Sequence, residues 1–590
     1  MFAHLHTRSW FSFQAGGSPP EALPEAAVRQ GVQSVALTER HGTYGVVRFQ
    51  RACQELGVQH LFGAEVPVAG RDLVLLAKNR EGYANICWLL TQAHLRSREE
   101  PSATLEELAS AHDNVFCLTG TEAGPIYPLM DDFQHREAAG WVHTLKDIFG
   151  ERLSLEVTHQ RRKGDDRRLA HLLQLARETG VPPVATGDVR YAVPGDYWRY
   201  DLLTCARHGI TVFDDHPERP SNSMAYLQTE AELLRRGLPK EAIHRAGEIA
   251  SMCRVDLIPG HIIPPGTKLP AGVTSVGLFR ELAFSAFEER YPPGSAHRTE
   301  AMERLKKEVQ VIVDLDVQEF FLVVKEVVDE ARRRGIRCLG RGSAANSIVT
   351  YLLGITVVCP IEHNLLFERF LHRGRKGTPD IDLDFDSSRR MEIIEWMEER
   401  FGVNHTGMAA TIDRYLTKSA VQDTAKALGW PAEMAVQMSK GCGYALPSDP
   451  ENVAHIRSVA GGDSPLLDVL IKAASKLVGC PRHLGQHSGG MVLTREPIRY
   501  FTPLQVSANG VRVVQFDKDD LEWLGLVKLD VLGLRMLGTV AEAAVIVNEV
   551  REDPIDLDAL PLDDPDVYDM ICEGDVLGLF QIESPAQQSA

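Results

Sequence analysis

A chain of 590 residues with 44% hydrophobic and 24% charged residues has the composition of a folded globular protein rather than a disordered one. It is long enough for roughly four domains at about 150 residues each. The formal net charge of −18 excludes a protein whose whole surface is basic, the usual mark of a phosphate-backbone binder. No apolar run approaches the ~18 residues of a membrane-spanning helix, and "MFAHLHTRSWFSF" lacks the pattern of a secretory signal, so a cytoplasmic location is expected. The ten cysteines contain no C-x-x-C pair, which argues for reduced thiols rather than a zinc site or disulfide framework.

In chain order, the first ~255 residues alternate apolar or β-branched runs ("QSVALTE", "LFGAEVPV", "RDLVLLAK", "PPVATGD") with helical stretches ("PEALPEAAVRQ", "VVRFQRACQEL"). That alternation predicts an α/β domain. The Pro- and Gly-rich "IPGHIIPPGTKLPAG" (258–272) marks a break, after which helical periodicity runs through 276–335. Then come a predicted strand "IRCLG", a helix "AANSIVTYLLG", a polar loop, the segment "TPDIDLDFDSS" (378–388) and a helix "RRMEIIEWMEERFG" with Met391, Ile394, Met397 and Phe401 at helical spacing. Residues 431–480 are predicted helical with a loop near "YALPSDP". Residues 512–534 are predicted as a strand region.

"TPDIDLDFDSS" places Asp380, Asp382, Asp384 and Asp386 at every second position, separated by Ile381, Leu383 and Phe385. Period two is the signature of a half-buried strand, with the apolar residues facing a core and the aspartates sharing the other face. Carboxylates two positions apart lie roughly 6 to 7 Å apart at the backbone, close enough to converge on one cation. A water-facing acidic edge is the plainer alternative. An EF-hand loop is excluded, because its sixth and twelfth positions would be Phe385 and Met391 instead of Gly and Glu.

Basic runs flank this segment: "RRRGIRCLGR" (332–341) and "HRGRKG" (372–377). Together with the aspartates they suggest a polyanion site. "GRGSAANSIVTYLLG" places Gly340, Arg341, Gly342 and Ser343 before a helix, with Ser343 as expected N-cap. A helix start of this kind favours phosphate. Lys528 and Asp530 stand in the otherwise apolar "LGLVKLDVLGL", where a carboxylate is costly unless paired or metal-bound. A Lys528–Asp530 ion pair and coordination to the same cation as the aspartate strand are both open. Such parts together suit two-metal phosphoryl transfer, with the metals about 3.5 to 4 Å apart.

The motifs "GRGSAANSIVTYLLGIT", "LLFERFL", "PDIDLDFD", "HSGGMVL", "QFDKDDLEWLGLVKLDVLGLRML" and "LFQIES" occur in the order found in bacterial C-family DNA polymerases, the DNA polymerase III α subunits, which the chain resembles over nearly its whole length. The resemblance implies a multidomain α/β chain: a PHP (β/α)7-barrel-like domain at 1–255, then a polymerase-β-like palm with mixed sheet at 256–430. A helical thumb at 431–500, more palm at 501–545 and the start of the fingers at 546–590 would follow. It implies a template-directed DNA polymerase using two Mg²⁺, with Mn²⁺ as substitute, on primer–template DNA and dNTPs. Asp382, Asp384 and Asp530 would be the metal-binding catalytic carboxylates, with Asp380 and Asp386 as bystanders. Arg341, Gly342, Ser343, Lys418 and Lys528 would serve the nucleotide. An arginine usual in the family four residues after Lys418 is Gln422 here.

The resemblance also implies a PHP metal centre of His, Asp, Glu and Cys ligands, and here the pattern departs. His6, Glu65, His159 and Asp188 match, but ligand positions read Arg8, Ala15, Arg40, Thr121 and Arg190. Arginine has no lone pair for a metal. No PHP nuclease is therefore expected, and Arg8, Arg40 and Arg190 are expected to fill the metal volume and pair with Glu65 and Asp188. Family members continue past "FQIES" into further fingers, a clamp-binding region and an OB-fold, so duplex grip and processivity are expected to be poor in this piece. "SFQAGG", "HGTYGVVRF" and "FQIESPAQQS" resemble the error-prone branch. A PHP phosphoesterase and a non-catalytic DNA- or partner-binding fragment are the competing readings.

Overall fold

The computed structural model describes residues 2–374, 379–561, 563–580 and 582–589. Arg375, Lys376 and Gly377 of the second basic run, Thr378 of the aspartate segment and Gln581 of the last motif lie outside the described residues. Among the described residues, no helix is long and apolar enough to cross a membrane. The chain forms two compact units, one of residues 1–261, 407–487 and 496–525, the other of residues 262–406, 488–495 and 526–590.

The first unit opens with seven strands in sequence order: β1 (Ala3–His4), β2 (Ser34–Arg40), β3 (Gln59–Val68), β4 (Arg71–Ala77), β5 (Val115–Leu118), β6 (Leu153–Val157) and β7 (Pro183–Ala185). The pairings are parallel except β3–β4 and β4–β5. Just beyond β1 and β7, a parallel bridge joins Thr7 to Val189, with Arg8 N donating to Val189 O at 2.9 Å and Val189 N to His6 O at 3.0 Å. The sheet thus closes on itself, as a (β/α)7 barrel should. Buried runs such as Val35-Ala36-Leu37 and Leu73-Val74-Leu75-Leu76 fit strands covered on both faces.

A second core in this unit packs Leu202, Leu203 and Cys205 against Tyr415, Ala420, Val421, Leu470 and Leu477. It draws helices Thr417–Ala427, Ala432–Lys440, Pro450–Ala460 and Pro465–Leu477 into the N-terminal unit. The sequence grouping of 407–430 with the preceding palm does not follow this clustering, because the apolar faces that decide it are non-local.

Seven more strands follow: β8 (Cys338–Arg341), β9 (Asp382–Asp386), β10 (Thr406–Arg414), β11 (Pro481–Leu493), β12 (Leu504–Val506), β13 (Arg512–Val514) and β14 (Lys528–Leu534). In the second unit, β9 lies between β8, antiparallel, and β14, parallel. Residues 488–493 of β11 run antiparallel to β14. Helices Ser275–Arg290 and Gln318–Arg333 back this unit with a core that includes Phe279, Phe321 and Phe370, the ring pairs Phe279–Phe321 and Phe321–Phe370 lying 5.9 and 6.0 Å apart.

Three local expectations need correction. Residues 512–534 are not continuous strand: Asp517 caps a helix Lys518–Trp523 by accepting from the N–H groups of Asp519 and Asp520, a local side-chain bond that competes with the strand ladder. The helix Arg390–Phe401 keeps Ile394 and Met397 of the expected stripe buried, but Ile393 joins them and Met391 is exposed. The helix after Arg341 begins only at Ile348. Its cap is Ser347, whose side chain accepts from Thr350 N, while residues 342–346 form a 3₁₀ turn.

Candidate active site and a degenerate metal centre

The acidic site of the second unit follows from strand register. Ile381, Leu383 and Phe385 are fully buried, which anchors β9 on the core and turns its aspartates to the other face. In the parallel β9–β14 pair, Asp382 stands beside Asp530. In the antiparallel β8–β9 pair, Arg341 stands beside Asp382. Oxygens of Asp380, Asp382 and Asp530 lie within 4.8 Å of one another, and among the described residues this is the one cluster of three such ligands. Lys528 pairs with Asp530 and has its Nζ 3.7 Å from Asp380 Oδ1. The ion pair and the acidic cluster that the sequence left as alternatives therefore coexist.

Arg341 Nε lies 2.7 Å from Asp384 Oδ2. Asp384, expected within the metal set, is thus held by a guanidinium, and Asp380, expected as a bystander, stands within the cluster. Spacing along one strand cannot show which aspartate a side chain from the neighbouring strand selects. Asp386 turns away and accepts hydrogen bonds from Ser388 N and Oγ at 2.9 and 2.7 Å. Burial raises the Asp382 carboxyl above the ordinary aspartate value, and Asp380 and Asp530 add to the rise against Arg341 and Lys528. Burial likewise raises Asp384, opposed by Arg341. With Asp384 neutralised by Arg341, three carboxylates face one ammonium. The donor set fits a divalent cation.

Gly342 has φ +68, a conformation costly for residues with a Cβ. It lets the chain turn beside Asp382, whose Oδ2 would lie 3.5 Å from an added Cβ. Ser343 is not a helix cap, and its Oγ approaches Asp380 O at 3.4 Å. The phosphate site expected at a Ser343 helix start therefore loses its helix. Lys418 is exposed as the second residue of helix Thr417–Ala427, in the first unit.

A second ionic cluster lies where the barrel closes. His6 Nδ1 is 2.7 Å from Glu156 Oε1, and His6 Nε2 is 2.8 Å from Glu65 Oε1. Arg8 makes a two-pronged pair with Glu65. Arg190 Nη2 lies 2.7 Å from Asp188 Oδ1, and Thr121 Oγ1 donates to Asp188 Oδ2 at 3.1 Å. All of these groups are buried. Burial alone would lower the His6 imidazole, but the Glu156, Asp188 and Glu65 carboxylates outweigh it and hold the ring well above its ordinary value. Burial pushes Glu65 up, and Arg8 and His6 overcome it to hold that carboxyl far below its usual range.

Arg40 and His159 depart from the expected set. Arg40 Nε reaches Asp72 Oδ2 at 3.8 Å, and His159 Nε2 reaches Asp166 Oδ1 at 3.0 Å. Glu156 was missed, although a lone carboxylate in the apolar "LSLEV" is the same signal that singled out Asp530.

Residues 277–533 match the bacterial DNA polymerase III alpha NTPase domain, residues 4–160 the PHP domain, and residues 536–590 the bacterial DNA polymerase III alpha subunit finger domain. In these segments the chain is similar to the bacterial DNA polymerase III alpha subunit and to PHP domains. Similar relatives include proteins named error-prone DNA polymerase from Pseudomonas fluorescens strain Pf-5, 35% identical over 593 residues, and from Pseudomonas aeruginosa, 36% identical over 593 residues. Another, from Symbiobacterium thermophilum, is 35% identical over 612 residues. Each match takes in 100% of this chain and 56% of the relative, so the chain spans about half the length of the curated relatives it matches. The polymerase III alpha match takes in Arg341, the aspartate strand and Asp530, and the PHP match takes in His6, Arg8, Arg40, Glu65, Glu156 and His159.

Proposed function

We propose that the chain carries the catalytic carboxylates of a template-directed DNA polymerase acting in replication or error-prone repair synthesis, its relatives being named error-prone DNA polymerases. The observation that carries this reading is the side-by-side placement of Asp382 and Asp530 on β9 and β14, inside a segment matching the polymerase III alpha domain. In the reaction, the primer 3′ oxygen forms a bond to the α-phosphorus of a dNTP. The bond from that phosphorus to the bridging oxygen breaks, pyrophosphate leaves, and the 3′-hydroxyl proton passes to solvent. Asp382 and Asp530, with Asp384, would hold two Mg²⁺, Mn²⁺ substituting, and these ions would activate the hydroxyl and stabilise charge on the phosphates.

The protein's own work is positioning. Ile381, Leu383 and Phe385 keep β9 rigid, and Lys528 limits repulsion between Asp380 and Asp530. Arg341 has two anionic partners to choose between, Asp384 and an incoming triphosphate. Transfer of its guanidinium to the triphosphate would free Asp384 at the moment substrate arrives. Gly342 and Ser343 keep the backbone beside Asp382 free of bulk. In this reading the partners are primer–template DNA, dNTPs and a sliding clamp, and the setting is the cytoplasm. Primer extension with Mg²⁺ or Mn²⁺, by this chain alone and joined to the C-terminal half of a family member, tests it. Extension abolished by Asp382→Asn/Asp530→Asn supports the assignment, and extension that survives overturns it.

A further inference from the structure

PHP resemblance implies a centre that holds metal ions, and the residues at the barrel seam do not fit one. Three of its ligand positions are arginines, which cannot ligate, and two of these, Arg8 and Arg190, lie at the seam. Their guanidiniums already occupy the carboxylates that a metal would need: Arg8 grips both oxygens of Glu65, and Arg190 pairs with Asp188 and stands 3.7 Å from Glu65. Both ring nitrogens of His6 are engaged by Glu156 and Glu65. A divalent ion entering here would have to displace two permanent buried charges.

Placement of these residues shows what the cluster does instead. His6 and Arg8 flank Thr7, and Asp188 and Arg190 flank Val189, the two residues whose bridge closes the barrel. Glu65 comes from β3 and Glu156 from β6. Arg8 reaches from one side of the seam to β3, Arg190 from the other side to the same Glu65, and His6 spans β3 and β6. The cations therefore reach from the seam to β3 and β6 at the place where an isolated bridge closes the sheet.

We propose that the PHP centre of this chain is a metal-independent clamp, in which Arg8, Arg190 and His6 supply the positive charge that bound metals would otherwise provide and thereby hold the barrel seam closed. Removing one partner of a buried pair leaves an uncompensated charge and is strongly destabilising, so the clamp should be visible in stability.

The test uses the full chain carrying Asp382→Asn/Asp530→Asn, so that the other acidic cluster takes up no metal. After incubation with Zn²⁺ or Mn²⁺ and removal of free ion, elemental analysis should find well below one equivalent per chain. The melting temperature should not change with chelator. Arg8→Met or Arg190→Met should lower it by several degrees, and Arg8→His/Arg190→His should make it rise on adding Zn²⁺. One equivalent of metal or more that is lost on His6→Ala, or a chelator-dependent fall in melting temperature, would overturn the proposal. So would unchanged stability in both methionine variants. If those variants fail to fold, the metal content and chelator response of the parent chain still decide the question.

Discussion

Asp530 on β14 stands in parallel register beside Asp382 on β9, and their carboxylates share a face with Asp380 within 4.8 Å. The pairing of Asp382 with Asp530 depends on two strands far apart in sequence. Replacing either residue by Asn removes an anionic ligand while conserving shape. Loss of several kcal/mol of transition-state stabilisation, or roughly 10³-fold in rate, is expected for each. Single-turnover primer extension checks it.

Asp384 and Asp380 should separate in the same assay. If Arg341 exchanges Asp384 for the triphosphate, Asp384→Asn falls to about the level of Asp382→Asn, whereas Asp380→Asn stays within about tenfold of the parent. Arg341→Ala should raise KM for dNTP by about 10- to 100-fold, the range of a charge-assisted hydrogen bond. A severe Asp380→Asn together with a benign Asp384→Asn would make Asp380 the third ligand.

In the metal-free chain the Asp382 carboxyl should titrate above the ordinary carboxylate range, because burial, Asp380 and Asp530 all raise it against Arg341 and Lys528. A divalent cation needs the ionised form, so its binding should weaken as pH falls through that raised value. Asp380→Asn removes one like charge and should lower the titration. A carboxyl titration of the metal-free chain, followed by NMR, that does not move in Asp380→Asn contradicts the electrostatic account.

Glu39 provides an independent pH effect in the first unit. Burial pushes its carboxyl from 4.5 to about 7, against hydrogen bonds from Ser9 and Ser12. The folded state therefore holds a proton that the unfolded chain releases near 4.5, so the contribution of Glu39 to stability is highest below that pH and declines as pH rises to about 7. The loss is on the order of 3 kcal/mol. Thermal denaturation across this window should show the decline, and Glu39→Gln should flatten it.

Gly489 packs against β14 so closely that an added Cβ would lie 2.5 Å from Leu532 Cδ2 and 2.8 Å from Val531 O. Gly489→Ala should cost about 1–3 kcal/mol through overpacking and reduce extension by shifting the strand that carries Asp530. A melting curve read beside the extension assay separates the two effects.

Legibility in the sequence tracked how local each determinant was. The aspartate strand could be read because period two is written in Ile381, Leu383 and Phe385, all of which are buried. Asp530 stood out as a charge in an apolar run, and Arg8 and Arg190 as residues unable to replace ligands. The partner of Arg341 was not legible, since two aspartates on β9 were equally available and only side-chain geometry across β8 and β9 selects one. Arg40 failed for the same reason: its distance to Asp72 belongs to the fold, not to spacing. Ser343 looked like a cap by composition, yet a 3₁₀ turn moved the helix start to Ser347.

The Thr7–Val189 bridge also bears on how the chain comes to be folded. Sequential strand neighbours let most of the barrel assemble as synthesis proceeds, but its last contact joins the opening residues to a segment made much later. Contacts so distant in sequence slow folding, and unpaired strand edges invite association with other chains in the interval. Until Val189 has left the ribosome, Thr7 has no partner across the seam, and a nascent chain stalled before that point would be the form most prone to aggregate.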